Sequence, residues 1–282
     1  MSISVSRHPW LYAMNVERHR LVRAVLSLFG GRRFAGPRKS PETPFRVCRH
    51  RSVLIRTLGV SDPRLQYNKV INLRLPTERI DGTIICPEET FSFWRLVGHP
   101  TARRGFVPGM LLSQGQVVEG IGGGLCQMAN LIYWLLLHSP LAVTERYRHS
   151  YDVFPDSGRV MPFGSGATVF YNYVDLQAEN RTGDSFRIGV RVGERFLEGW
   201  IWSDADQKHS FRVIELDHRF LQDAEGIWWR ENRLRRQIMD RPTGKVVAEE
   251  EIGYNLAQVM YEYDPEADRR SGASDAVSVL SP

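Results

Sequence analysis

The pattern of apolar residues predicts an α+β fold: a mainly antiparallel sheet packed on a buried helix that begins at a Gly-Gly-Gly-Leu-Cys motif, with helices at the N-terminus. Three observations predict it. Residues 125–138 form an apolar stretch of helical character that stops at Pro140. Many short segments around it, above all those after residue 140, alternate apolar and polar with the period of half-buried strands. Turn signals such as Asp81-Gly82 and Arg241-Pro-Thr-Gly244 separate these segments at short intervals, which favours antiparallel pairing. With 282 residues, 42% of them hydrophobic and 24% charged, the chain is large enough to bury a substantial core and has the composition of a soluble globular protein.

Taken in order, Pro9 suits a first helical turn, and Trp10, Leu11, Met14, Leu21, Val22, Val25, Leu26 and Phe29 recur at helical spacing until Gly30-Gly31. The resulting basic amphipathic helix has two readings. It lies on a membrane surface, or it docks on the core with a solvated arginine face. Residues 32–44 read as a linker, and a second helix is expected over 46–60, with Val47, Val53, Leu54, Leu58 and Val60 as its apolar positions and Asp62-Pro63 as its break. Residues 69–98 read as short strands and turns about Asp81-Gly82. Residues 106–124 read as a hairpin whose second arm ends at glycines. Strands follow at 141–154, with Val143, Glu145, Tyr147, His149 and Tyr151 on one face, and then at 167–180, 186–192, 199–204, 211–216 and 227–240, with a last one or two ending near Tyr263. The expected organisation is a basic helical region over 1–60, a core domain over 61–205, a β-rich extension over 206–263 and a disordered tail over 264–282.

Charge is unevenly distributed. The first sixty residues hold twelve Arg and Lys against Glu17 and Glu42, a net of +10 that leaves −5 for the rest of a chain whose total is +5. A basic leader on an acidic body argues against nucleic acid as a partner, because a nucleic-acid enzyme surrounds its working face with positive charge. Peripheral contact with an anionic membrane through residues 7–29 fits better. Arg18, His19, Arg20 and Arg23 interrupt any signal-peptide core, and the run Leu131–Leu137 is far short of the roughly 20 residues of a spanning helix. Cys48, Cys86 and Cys126 form no CxxC pair and leave one cysteine over, which suits a reducing compartment. The expectation is a cytoplasmic protein, with the membrane face as its place of association.

The stretch Glu119–Pro140, EGIGGGLCQMANLIYWLLLHSP, carries the chemistry. Gly122, Gly123 and Gly124 make an entropically costly turn, which needs a sharp bend or something close to the backbone. A helix opening near Leu125 places Cys126 in its first turn, where unpaired N–H groups and the positive dipole end lower a thiol's pKa and can hold an oxyanion. Glycines then let a substrate main chain reach the sulfur, with the backbone N–H groups from Gly124 to Gln127 as the oxyanion site. His149, on the returning strand, is the candidate base, and Asp152, Asp175 or Glu145 could orient it. Arg146 or Arg148 could hold a substrate carboxylate. Against this, Cys126 could be plain core beside Met128, Leu131, Ile132, Trp134 and Leu135, and His149 an ordinary strand histidine. GIGGGLC lacks the Lys-Ser/Thr of a P-loop and the third glycine of a dinucleotide fingerprint. No histidine or cysteine spacing matches a metal site, so neither metal nor cofactor is expected.

At CPEETFSFWRLVGH, GIGGGLCQMANLIYWLLLHSPL and ATVFYNYVDLQAEN the sequence resembles the VanW family, and the resemblance extends over nearly the whole chain except the tail. It implies a bacterial protein associated with glycopeptide resistance and cell-wall metabolism. Related domains on exported proteins look like L,D-transpeptidases that use the cysteine of a GGGxCQ motif, here Cys126 followed by Gln127. The resemblance also marks Glu89, Phe91, Ser92, Phe93, His149, Asp175 and Asn180 as motif positions. Many members carry Asp before the Ala-Thr pair, where this chain has Gly166; if that acid orients the histidine, this chain is weakened or uses Asp175. Two functions follow from the residues and the resemblance together. One is a cysteine acyl transferase or peptidase on peptidoglycan stem peptides, with Cys126, His149 and Asp175 as catalytic residues and Gly122, Gly123, Gly124, Gln127 and Arg148 around the substrate. The other is a non-catalytic accessory module that binds a precursor or a resistance enzyme at the cytoplasmic membrane face.

Overall fold

The computed structural model describes residues 9–55, 62–113, 115–153, 155, 161–266 and 277–279. It is α+β with mostly antiparallel sheets, as the alternating segments predict. Helix α1 (Pro9–Phe29) ends at Gly30-Gly31, with Gly31 left-handed at φ 64°. Arg7 and His8 lie outside the described residues, as do 56–61 and most of the expected tail. Short strands β1 (Arg33–Phe34) and β2 (Gly36–Pro37) occupy the expected linker.

Two expectations fail next, both for reasons of tertiary context. Residues 45–53 are not helical but form strand β3 (Phe45–Val53), paired antiparallel along β12 (Phe196–Ser203) at the edge of a five-stranded sheet. Its exposed Arg46, Arg49 and Arg51 suit an edge that must not pair with another chain. Asp62-Pro63, read as a break, instead starts helix α2 (Pro63–Ile80): the Asp62 carboxylate accepts from Arg64 N at 2.8 Å and Pro63 takes the first helical position, where a missing N–H costs nothing. Leu65, Lys69, Asn72, Leu73, Pro76 and Ile80 are its buried face.

After α2 come β4 (Thr83–Ile85), β5 (Glu89–Ser92), α3 (Phe93–Val97), the hairpin β6 (Pro108–Ser113) and β7 (Gln116–Ile121), and helix α4 (Cys126–Leu137). Strands β8 (Ala142–Glu145), β9 (Tyr151–Asp152), β10 (Gln177–Glu179) and β11 (Phe186–Val192) complete the part that holds the motifs. The expected strand over 141–154 is thus two short pieces, and only residues 177–179 of the expected 167–180 strand are extended in a sheet. Three long strands, β13 (His209–Gln222), β14 (Trp228–Asp240) and β15 (Val246–Val259), form an antiparallel ladder, with β9 parallel to β15 and β16 (Val277–Val279) parallel to β13.

Two sheets frame the core. One runs β1-β5-β10-β8, the other β2-β4-β11-β12-β3. Helix α4 packs on β12 and β3, and buries Met128, Leu131, Ile132, Leu135 and Leu136 in the main apolar cluster. Each buried leucine or isoleucine contributes roughly 1.5–3 kcal/mol. Gly199 on β12 permits that approach, since a Cβ there would lie 2.8 Å from Leu135 Cδ1 and 3.0 Å from Leu131 Cδ2.

Helix α1 reverses the orientation that the sequence suggests. Arg20 Nε donates to Tyr171 O at 2.9 Å, and Arg23 pairs with Glu145 and donates to Tyr173 O at 3.1 Å. Val16 is buried beside these arginines, whereas Trp10, Met14, Leu21, Val22 and Val25 are exposed. The docked face is therefore the one with Arg20 and Arg23, not an apolar one. Among the described residues no helix is long and apolar enough to cross a membrane.

Candidate functional site

The glycine turn joins β7 to α4 and is built from contacts within the chain. Gly122 (φ 77°) and Gly124 (φ 98°) are left-handed, which favours residues without a Cβ. A Cβ at Gly122 would sit 2.8 Å from Pro100 Cβ, and one at Gly124 would sit 2.8 Å from Lys69 Cβ. Gly123 lies directly on the backbone of Gly109 in β6, where a Cβ would come 2.5 Å from Met110 N. Asn72, fully buried on α2, holds the turn: its Nδ2 donates to Val107 O and Gly123 O, both at 2.9 Å, and its Oδ1 accepts from Val107 N at 2.9 Å. The glycines are thus required by the protein's own packing, where the sequence reading reserved their space for a substrate main chain.

Cys126 opens α4, and its thiol donates to Val169 O at 3.9 Å. Burial pushes the thiol's pKa up, opposite to the lowering expected from the helix start. Loss of water around the sulfur outweighs its hydrogen bonding to backbone, although the residue as a whole is only partly buried. Burial also pushes Cys48 up, to about 12. Alkylation of Cys126 by iodoacetamide is accordingly expected to be slower at pH 7.5 than that of an exposed cysteine and to keep rising above pH 9, because the thiolate forms only at higher pH. Peptide-resolved mass spectrometry over pH 6–10 checks this; a plateau reached by pH 7 contradicts the burial.

His149 Nδ1 meets Thr168 Oγ1 at 2.9 Å, and Thr168 N donates to Tyr147 O at 2.8 Å, so residues 147 and 168 bridge. Asn130, one turn after Cys126 on α4, accepts from Ala167 N through Oδ1 at 2.7 Å. A Cβ at Gly166 would stand 3.0 Å from Asn130 Oδ1 and 3.4 Å from His149 Cδ2. Position 166 therefore faces the imidazole, and an acidic side chain there would start beside it. With glycine at 166, Thr168 is what holds Nδ1.

The three acids proposed to orient His149 each have partners of their own. Asp175 accepts from Ser92 Oγ at 2.6 Å, Gln177 Nε2 at 3.0 Å, Trp94 N at 3.0 Å and Leu176 N at 2.9 Å, so it ties β10 to the start of α3. Burial pushes its carboxyl up while these donors oppose the shift. Asp152 pairs with Arg230, and Glu145 with Arg23. Gln127 Nε2 donates to Ser52 Oγ at 2.9 Å and Val53 O at 2.8 Å, anchoring α4 to β3. Arg148 Nη1 donates to Tyr254 O at 2.6 Å, and Arg146 is spent on Gly164 O and Gly166 O, over the Tyr133 ring. The structure thus brings Cys126 and His149 to one short segment, 166–169, and places Asp175, Gln127 and Arg148 in other networks. Sequence reasoning missed Thr168, Asn72 and Lys69, whose buried amine donates to Gln66 Oε1 at 2.7 Å and whose stem lies on Gly124. It also missed Asn130, although four residues from Cys126 is one helical turn.

Comparison with known proteins bears on this geometry. Residues 68–202 match the family described as VanW like protein, and they include the glycine turn, Cys126, His149, Gly166, Thr168 and Asp175. The vancomycin B-type resistance protein VanW of Enterococcus faecalis is 29% identical over 196 residues, which is 70% of this chain and 71% of that protein. The uncharacterized protein YoaR of Bacillus subtilis is 31% identical over 110 residues, 39% of this chain and 35% of that one. No solved structure matches. Over residues 68–202, then, the chain is similar to the VanW-like family.

Proposed function

We propose that this protein acts in glycopeptide resistance and cell-wall metabolism, as a cysteine acyl transferase or peptidase on peptidoglycan stem peptides. The observation that carries the reading is the convergence of Cys126 and His149 on residues 166–169: the thiol donates to Val169 O, and the imidazole is held by Thr168. The relative named as a vancomycin resistance protein supports the biological setting.

In this mechanism the resting thiol is protonated and enclosed. A stem-peptide carbonyl entering at the start of α4 displaces the Val169 contact, and His149, with Nδ1 on Thr168, takes the thiol proton through Nε2. Attack by sulfur forms a thioester and expels the amine, which leaves with the proton. An incoming amine or water then releases the acyl group, giving transfer or hydrolysis. N–H groups of the first turn of α4 stabilise the oxyanion.

A second reading is favoured by α1. Its exposed Trp10, Met14, Leu21 and Val25 suit an accessory module resting on the cytoplasmic membrane face, bound to a precursor or a resistance enzyme. One paired experiment separates the two readings. Incubation with muropeptides is expected to give a thioester on Cys126 by intact-protein mass spectrometry, and Cys126→Ala to lose both the adduct and turnover. Full turnover by Cys126→Ala would end the catalytic proposal. Absence of turnover, with co-sedimentation on anionic vesicles that Leu21→Glu abolishes, would favour the accessory role.

A further inference from the structure

The face of the β1-β5-β10-β8 sheet carries a cavity of 610 Å³, lined among others by Arg33, Glu88, Thr90, Thr144 and Arg181. A second hollow of 590 Å³ shares Glu88, Glu179 and Arg181 with it, so the two form one groove. No lining residue is part of the Cys126 neighbourhood.

Glu88 is held at φ 66°, a left-handed conformation that a residue with a Cβ adopts at a cost. It follows Pro87 in the turn closed by Glu89 N donating to Cys86 O at 3.0 Å, a place where glycine or asparagine is the unstrained choice. Its side chain does no work for the fold. The adjacent Glu89 is the structural one: buried, it takes Arg38 on both oxygens, at 2.8 and 3.0 Å, and accepts from Cys86 N at 3.0 Å. The Glu88 carboxylate is exposed and makes no hydrogen bond or ion pair among the described residues. A strained residue whose side chain has no structural partner is a reason to look for a ligand.

The opposite charge is equally uncommitted. Arg33 in β1 is exposed and unpaired among the described residues, and Arg32 donates only to the neutral Gln177 Oε1, at 3.1 Å. Arg181, by contrast, is engaged with Glu179 at 2.8 Å. One cavity of ligand-binding size thus holds a spare carboxylate, spare guanidinium groups and the hydroxyl-bearing Thr90 and Thr144 on its walls.

We propose that this groove binds a dipolar ligand of the amino-acid or short-peptide class, with a free ammonium on Glu88 and a free carboxylate on Arg33 and Arg32. The site is independent of the cysteine chemistry and stands or falls without it.

Titration calorimetry on the whole chain with alanyl-alanine, as the L,L and D,D forms, tests it. N-acetylated and C-amidated dipeptides are the controls. The free dipeptide in at least one form is expected to bind, each blocked form tenfold or more weaker. Glu88→Gly is expected to keep or raise the Tm, because it removes the strain, and to abolish the preference for the free amine. Arg33→Gln is expected to abolish the preference for the free carboxylate. Equal affinity for free and blocked dipeptides, no binding of any form at millimolar concentration, or a Glu88→Gly variant that keeps full discrimination would each overturn the proposal. So would a marked fall in Tm with Glu88→Gly, which would make Glu88 a structural residue.

Discussion

Gly123→Ala is expected to lower the stability of the protein by about 3 kcal/mol, the upper range for a methyl forced into packed surroundings. The new Cβ meets backbone, not a side chain that can swing away: it overlaps the Gly109 carbonyl and lies 2.5 Å from Met110 N. Relief would require β6 to separate from the turn, which breaks the Asn72 contacts to Val107 and Gly123. The loss is read as a fall in the urea midpoint at unchanged slope. Gly82→Ala is the control. Gly82 is also left-handed, at φ 75°, but an added Cβ there has nothing within 4 Å. Its cost is therefore the backbone term alone, about 1–2 kcal/mol. Equal losses in the two variants would show that close backbone approach is not what the middle glycine provides.

Arg230→Ala is the second large effect, about 3–5 kcal/mol, because it strands a buried charge. Arg230 is 2% exposed and Asp152 is 4% exposed, with Nη1 and Oδ2 at 3.0 Å. Arg230 Nε also donates to His218 Nε2 at 2.8 Å, and the guanidinium lies over the rings of Phe163 and Phe220 at 4.6 and 5.1 Å. Removing it takes away the buried guanidinium that faces the Asp152 carboxylate, to which Tyr261 OH also donates at 3.1 Å. The double variant Arg230→Met, Asp152→Asn is expected to recover a good part of the loss, since it removes both charges while filling some of the volume. A thermal denaturation series decides: if the double variant is no more stable than Arg230→Ala, lost packing and not the stranded charge is the cause. The pair also fixes β9 to the long ladder, three residues from His149, so it links the candidate site to the C-terminal sheet.

Several elements were readable from local pattern. The span of α1 follows from helical spacing ended by two glycines, the β6–β7 hairpin from apolar arms around a turn, and β11 to β14 from alternation. Where the reading failed, local signals were ambiguous. Pro76 in the middle of α2 hid the helical period, and Asp62-Pro63 serves equally as a break or as a cap with Pro at the first position. In β3 the arginines that protect a sheet edge imitate a basic helix face. Around the site, Cys126, His149 and Gly166 were visible as unusual residues in unusual places. Thr168 and Asn72 were not, because each acts through partners 19 to 51 positions away.

By itself, then, the sequence determined the fold class, the presence of a glycine turn, the motif positions and the uneven charge, all of which rest on neighbours within a few residues. The tertiary structure decided which way α1 faces, why three glycines are needed, which group holds His149, and the sign of the shift at Cys126. The physical reason is that hydrogen-bond periodicity and backbone conformation are local, whereas desolvation and close packing depend on which distant segments fold against a residue. At Cys126 the two compete, and the distant contribution is the larger.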